Sequence, residues 1–68
     1  MDIIANRIRE IRKDNKLSQE QFGKILSVSQ DNVSLWEQGK SIPGTLYVIA
    51  IAKTFNVTSD YILGLSDF

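Results

Sequence analysis

The sequence predicts an all-α domain of five short helices, and three observations carry that reading. Apolar residues recur at helical spacing, as at Ile4, Ile8 and Ile11 and again at Val48, Ile51, Ala52 and Phe55. Ser18, Ser29 and Thr58 each stand just ahead of such a stretch, where a helix N-cap belongs. No strand pattern competes: the alternating run "TLYVIAIA" is too uniformly apolar for a half-buried strand and fits a helix better. At 68 residues the chain makes one small domain, 1–68, whose modest core needs good packing to be stable.

The first helix is expected over 3–14, with Ile4, Ile8 and Ile11 on one face and Arg7, Arg9, Arg12 and Lys13 on others. The second, 18–26, opens with the strongest signal in the chain. Ser18 and Gln21 form an S-x-x-Q capping box, Leu17 and Phe22 a hydrophobic staple, and Phe22, Ile25 and Leu26 continue the apolar face. The third, 29–38, repeats the logic with Ser29 as cap, a Val28–Val33 staple, Val33 and Trp36 facing inward, and Gly39 past its end. The fourth, 44–55, follows Pro43 and carries Lys53 in its last turn, where the helix dipole favours a cation. The fifth, 58–63, has Thr58 as cap, a Val57–Ile62 staple and Gly64 as terminator. The closing "LSDF" is expected to be loose or to join something beyond Phe68. Only Ser27 and Val28 separate Leu26 from the Ser29 cap, so the second and third helices meet through a tight turn, as in a helix-turn-helix.

Composition removes several functions. Without Cys there is no disulfide and no thiolate metal site, and without His the commonest general base and metal ligand are missing. The eight acids are scattered and no Gly-rich phosphate loop is present, so neither enzyme chemistry nor a cofactor is expected. The first residues, "MDIIANRIRE", lack the apolar run of a signal peptide or membrane span, which points to the cytoplasm. Eight Lys and Arg balance eight Asp and Glu. Zero net charge argues mildly against nucleic acid as partner, although the cations gather in the first quarter and the acids toward the end.

The run "LSQEQFGKILSVSQDNVSLWEQGKSIP" resembles the helix-turn-helix of the phage-repressor group, the Cro/CI-type or lambda-repressor-like regulators. Their motif reads, roughly, L-S/T-Q-E-x-L-A-x-x-L-G-V-S-x-x-x-I/V-S-x-W-E-x-G-x-x-x-P. The likeness continues to "FNVTSDYILGL" and covers about residues 7 to 65. Two positions depart from it. Gly23 stands where Ala is usual, at a cost of about 0.5–1 kcal/mol for a mid-helix Gly. Ser27 stands where Gly is usual, which costs on the order of 1 kcal/mol if that residue is left-handed.

The resemblance implies a compact five-helix domain whose third helix enters the major groove of double-stranded DNA. Its groove-facing candidates are Ser29, Gln30, Asp31, Asn32, Ser34 and Leu35. Gln30 and Asn32 suit adenine N6 and N7, Asp31 suits cytosine N4, and Leu35 suits a thymine methyl. Each has a plainer role open to it: Ser29 as cap, Asp31 as dipole complement, Asn32 as solvated surface, Leu35 as packing at the helix edge. Gln19, Lys24, Gln38, Lys40, Ser41 and Arg12 are the candidates for the DNA backbone, with Lys24 equally at home as a solubilising surface residue. Trp36 reads as core rather than as a stacking platform, because Val33 shares its face. Glu37 beside phosphates would be repelled unless paired, and the family pattern implies an ion pair with Arg12.

The reading that results is a sequence-specific transcriptional regulator, a repressor binding a palindromic operator as a homodimer, with self-contact sought in 56–68 around Tyr61, Leu65 and Phe68. The setting stays open between prophage repressor, restriction–modification controller and antitoxin. Two rivals stand beside it: a protein-interaction module of the same fold with little DNA affinity, and the head of a longer regulator with a further domain or partner beyond Phe68.

Overall fold

The computed structural model describes residues 2–68, and Met1 of the expected 1–68 domain lies outside the described residues. Five helices follow one another: α1 (Ile3–Asp14), α2 (Gln19–Leu26), α3 (Gln30–Glu37), α4 (Thr45–Phe55) and α5 (Ser59–Leu63). They start one residue later than expected wherever Ser18, Ser29 or Thr58 caps, because a cap residue is extended and its hydroxyl bonds the third backbone N–H of the helix. In α2 the capping box is complete, with Gln21 N–H donating to Ser18 Oγ at 3.1 Å and Ser18 N–H to Gln21 Oε1 at 2.8 Å. Asp2 caps α1 in the same way, accepting from Ala5 N–H at 3.1 Å. Gly44 precedes α4 with no side-chain cap.

The core is one cluster drawn from every helix: Ile8, Ile11, Phe22, Leu26, Val33, Trp36, Val48, Ile51 and Ile62, with Leu17, Val28, Phe55 and Val57 packed against it. α3 lies against α2 and α1, and α5 closes the bundle on α1 and α4. Phe22 stacks on Phe55 with centroids 5.2 Å apart, tying α2 to α4. Trp36 meets Tyr47 at 5.4 Å, tying α3 to α4.

One expectation about packing needs correction. Ile25 does not continue the buried face of α2; it is 48% exposed, and Gly23 is buried in its place. The cause is a close approach. A Cβ on Gly23 would sit 2.6 Å from the carbonyl oxygen of Val28, so the bare Gly lets the turn fold against the 22–23–26 side and leaves Ile25 outside. Uniformly apolar as it is, α4 buries one side. Val48 and Ile51 are core, but Leu46 is 80% exposed and Ile49 is 41% exposed. With Ile42, Pro43, Val48 and Leu63, Ile49 borders an open groove of about 390 Å³ beside α4 and α5.

The closing residues fold back rather than hang loose. Leu65 N–H donates to Asp60 O at 2.8 Å, and the Thr58 hydroxyl donates to Phe68 O at 2.7 Å.

Candidate nucleic-acid interface

The turn between α2 and α3 sets the site. Ser27 is left-handed, with φ 60° and ψ 40°, so the strain foreseen for a Ser at this position is present. Val28 N–H then donates to Gly23 O at 2.9 Å and Ser27 N–H to Lys24 O at 3.3 Å, which satisfies the last carbonyls of α2. Two residues later Ser29 starts α3, its Oγ accepting from Asn32 N–H at 3.2 Å. The hydroxyl of Ser29 is therefore already engaged as a cap.

The first turn of α3 is open. Gln30, Asp31 and Asn32 are exposed, and none has a side-chain hydrogen bond among the described residues. At 100° per residue, the face opposite Val33, Trp36 and Glu37 is centred on Asp31, Leu35 and Gln38, with Gln30 and Asn32 on its two flanks. Leu35 is 38% exposed there. Ser34 is half-buried, and its hydroxyl accepts from Gln38 Nε2 at 2.7 Å.

The far end of α3 is built differently. Glu37 is 4% exposed and is the one buried charged residue among the described residues. Arg12 grips it with two parallel bonds, Nε to Oε2 at 2.7 Å and Nη2 to Oε1 at 2.9 Å, while its Nη1 donates to Leu17 O at 3.0 Å. The geometry is the bidentate fork in which Arg surpasses Lys. The hydrogen bond to Glu37 holds the Arg12 guanidinium above its ordinary pKa, against the opposing effect of burial. All three nitrogens of Arg12 are thus committed inside the protein, and little of the group is left for a phosphate. Gln19 Nε2 adds a third bond to Glu37 Oε1, at 3.3 Å. The amide foreseen as a phosphate contact is steered by the same carboxylate.

Arg9 was not among the residues singled out from sequence. Its Nη2 donates to Glu37 O at 2.6 Å, capping the C-terminal end of α3, while its side chain remains 40% exposed. The signal was present: Arg9 lies three residues before Arg12, on the same side of α1. Asp2 was missed as well. A Cβ on Gly39 would lie 2.9 Å from Asp2 Oδ2, the movable end of that side chain, so it is chiefly the φ of 73° that calls for Gly39.

The segment after α3 is pinned by its backbone and free at its side chains. Lys40 N–H and Ser41 N–H both turn back to Leu35 O, at 3.0 and 3.3 Å. Lys40 and Ser41 are exposed, as is Lys24 at the end of α2. The structure therefore separates the predicted residues into an open edge at Gln30–Asn32 and a second group, Gln19, Gln38, Lys40 and Ser41, joined by Arg9, about one α3 length away, roughly 12 Å.

Comparison with known proteins agrees with this architecture. The sequence profile of the helix-turn-helix family matches residues 8–62. The chain is 31% identical over 63 residues to an uncharacterized HTH-type transcriptional regulator, YobD, of Bacillus subtilis, covering 93% of this chain and 56% of the relative. It is 33% identical over 61 residues to repressor protein C2 of Salmonella phage P22, covering 90% and 28%. The chain thus spans about half or less of these curated relatives. A crystal structure of the P22 c2 repressor protein in complex with synthetic operator 9T superposes with a TM-score of 0.84 at 32% identity, covering 93% of this chain and 96% of that one. No described helix is long and apolar enough to cross a membrane. With a profile match over most of its length and a shared fold at that identity, the chain belongs to the Cro/CI-type, phage-repressor family of helix-turn-helix regulators.

Proposed function

We propose that this chain is a cytoplasmic, sequence-specific double-stranded DNA-binding transcriptional regulator, a repressor that places α3 in the major groove and occupies a palindromic operator as a dimer. One observation carries the reading: the first turn of α3 exposes Gln30, Asp31 and Asn32 without internal partners, while the cap and the core side of the same helix hold it rigid. That is the arrangement base reading needs, because a side chain already bonded within the protein has nothing to offer a base edge. The solved operator complex of the P22 c2 repressor supports the same docking by analogy.

In this reading Gln30 and Asn32 address adenine, Asp31 accepts from cytosine N4, and Leu35 covers a thymine methyl. Ser29 and Ser34 support the edge through their cap and Gln38 bonds. Gln19, Lys24, Gln38, Lys40 and Ser41 hold the sugar–phosphate backbone, and Arg12 acts through Glu37 and Gln19 rather than directly. A single reading helix covers few base pairs, so half-sites paired roughly 34 Å apart supply the specificity.

The test is binding by fluorescence anisotropy to mixed-sequence duplex and to operators selected from a random pool, each at several salt concentrations. The expected result is weak, salt-sensitive binding to mixed DNA and tight binding to a selected two-fold site. Lys40→Ala lowers the salt slope by about 1, and Gln30→Ala relaxes base preference at one position at a cost of about 1–3 kcal/mol. Absence of binding at low salt would sink the reading in favour of a protein-interaction module, which the zero net charge and the exposed α4 face would then suit.

A further inference from the structure

We propose that methylation of exocyclic amino groups in the bound DNA switches recognition by this chain off. The inference rests on the base-reading role of α3 proposed above and adds a regulation to it.

α3 carries no Lys or Arg between Gln30 and Glu37. The two arginines bonded to it are tied at its far end, Arg12 to the Glu37 carboxylate and Arg9 to Glu37 O. The open first turn therefore holds no guanidinium to grip guanine O6 and N7, the commonest specific contact in the major groove. It offers oxygen acceptors instead. Asp31 is exposed, with no ion pair and no side-chain hydrogen bond among the described residues, and its carboxylate accepts without donating. Gln30 and Asn32 flank it, also without side-chain bonds, and an amide paired with adenine accepts from N6 while donating to N7. Ser34 and Gln38, the next polar pair along the helix, are bonded to each other at 2.7 Å.

These acceptors share one requirement, an amino hydrogen in the groove. Adenine N6 and cytosine N4 each carry two hydrogens. One lies in the base pair, and the other points into the major groove. A methyl group on that nitrogen keeps the pair and takes the place of the groove hydrogen, so the acceptor faces a carbon where its donor was. Asp31 suffers most. Both of its oxygens accept, so no rotation repairs the contact, and a desolvated carboxylate without a partner is costly. Nor is the edge free to back away, because Ser29 Oγ holds Asn32 N–H at 3.2 Å and Val33 and Trp36 are buried behind it. A methyl on cytosine C5 is a different case. Both N4 hydrogens remain, and Leu35, one turn beyond Asp31 and partly exposed, is an apolar neighbour for it.

The experiment is fluorescence anisotropy of the intact chain on the operator selected from a random pool. It is compared with the same duplex carrying N4-methylcytosine, N6-methyladenine or 5-methylcytosine, one base at a time. The expected loss is about tenfold at the cytosine facing Asp31 and at an adenine facing Gln30 or Asn32, with 5-methylcytosine within about twofold of the plain duplex. Asp31 is exposed, so Asp31→Ala keeps the fold; it binds the plain operator more weakly, and N4-methylation of that cytosine then has no further effect. Mixed-sequence duplex is held equally with and without amino methylation, because its phosphates are unchanged. Amino-methylated operators bound as tightly as plain ones overturn the proposal. So does a 5-methylcytosine penalty as large as the N4 one, a cytosine penalty that persists in Asp31→Ala, or a selected operator with neither adenine nor cytosine at the bases these side chains face. Failure to bind any duplex removes the DNA reading and the switch together, whereas tight binding to the plain operator without a methyl penalty removes the switch alone.

Discussion

Glu37→Ala is the most informative single perturbation, because one carboxylate joins α1, α2 and α3. It is 4% exposed, and the Arg12 side chain that grips it is 14% exposed. Truncation leaves the guanidinium with one carbonyl, Leu17 O, and strips Gln19 of its acceptor. Breaking a buried ion pair from one side costs about 3–5 kcal/mol. Arg12 keeps some contact with solvent, so the lower end applies, about 3 kcal/mol. A chain of this size has a total stability of roughly 3–10 kcal/mol, so the change removes a third of it or more. In a domain this small 1 kcal/mol moves the melting temperature by about 4–8 °C, and the drop is therefore on the order of 20 °C.

The assay is urea unfolding followed by the fluorescence of Trp36, the only tryptophan, buried beside Val33 in the core. Far-UV circular dichroism checks that unfolding is two-state. Arg12→Ala and the double variant complete a cycle, and the expected coupling is at least about 1.5 kcal/mol. It should survive 0.5 M salt, because a buried pair is little screened, whereas the Arg7–Asp67 pair at 4.0 Å, whose Asp67 side chain is 94% exposed, should show no coupling there. Replacing both partners at once with Leu and Met should cost far less than Glu37→Ala, since no charge is then left buried. Single losses below about 1 kcal/mol with coupling under about 0.5 kcal/mol would refute the reasoning.

Three further outcomes follow from the geometry. Gly23→Ala should destabilise by about 1–3 kcal/mol despite the better helix propensity of Ala, because the new Cβ meets the Val28 carbonyl at 2.6 Å; a stabilised variant in the same urea titration would show that the turn gives way easily. Ser27→Gly should stabilise by roughly 0.5–1 kcal/mol, removing left-handed strain at φ 60°, and a lower melting temperature would count against that account. Tyr61 ionises above its ordinary range, chiefly through its bond to Glu10, with burial and the Glu10 charge adding to the shift against the opposing pull of Arg7. A raised native value means that this contribution to stability is whole below pH 10 and is lost as pH rises through the shifted value. Glu10→Gln should bring the ultraviolet titration of Tyr61 down, and an unmoved titration would exclude the bond as its cause.

What could be read ahead of the structure was local. The capping box at Ser18 and Gln21, the staples at Leu17–Phe22 and Val28–Val33, and the Gly39 and Gly64 terminators depend on residues within a few positions of each other. Partners far apart in sequence were a different matter. Arg12 and Glu37, 25 residues apart, were paired only through the resemblance to a known motif. Arg9 on Glu37 O, Asp2 against Gly39 and the burial of Gly23 in place of Ile25 were invisible, because each depends on how one helix is rotated against another. The inward face of α4 at Val48, Ile51, Ala52 and Phe55 was legible from spacing, but the exposure of Leu46 and Ile49 was not, because uniform hydrophobicity says that a helix has much to bury, not which side the bundle will cover.

Zero net charge hides where the charges lie. Among the described residues Glu37 is cancelled by Arg12, Glu10 holds Tyr61, and Asp2 caps α1, so three of the eight acids have structural work away from the open edge of α3. Asp31 is the acid that remains on the reading edge, and it has Lys24 at the end of α2 and Lys40 beyond α3 to set against it. On the proposed interface, Lys24, Lys40 and the exposed part of Arg9 predict a salt slope of about −3 per chain, shallow beside the 6–10 phosphate contacts of a strongly electrostatic binder. A protein built this way has little non-specific grip. In the proposed reading its discrimination comes from Gln30, Asp31 and Asn32 against base edges, where a carboxylate helps only opposite cytosine and repels elsewhere. On the proposed paired half-sites, affinity would come from holding two such edges on one duplex.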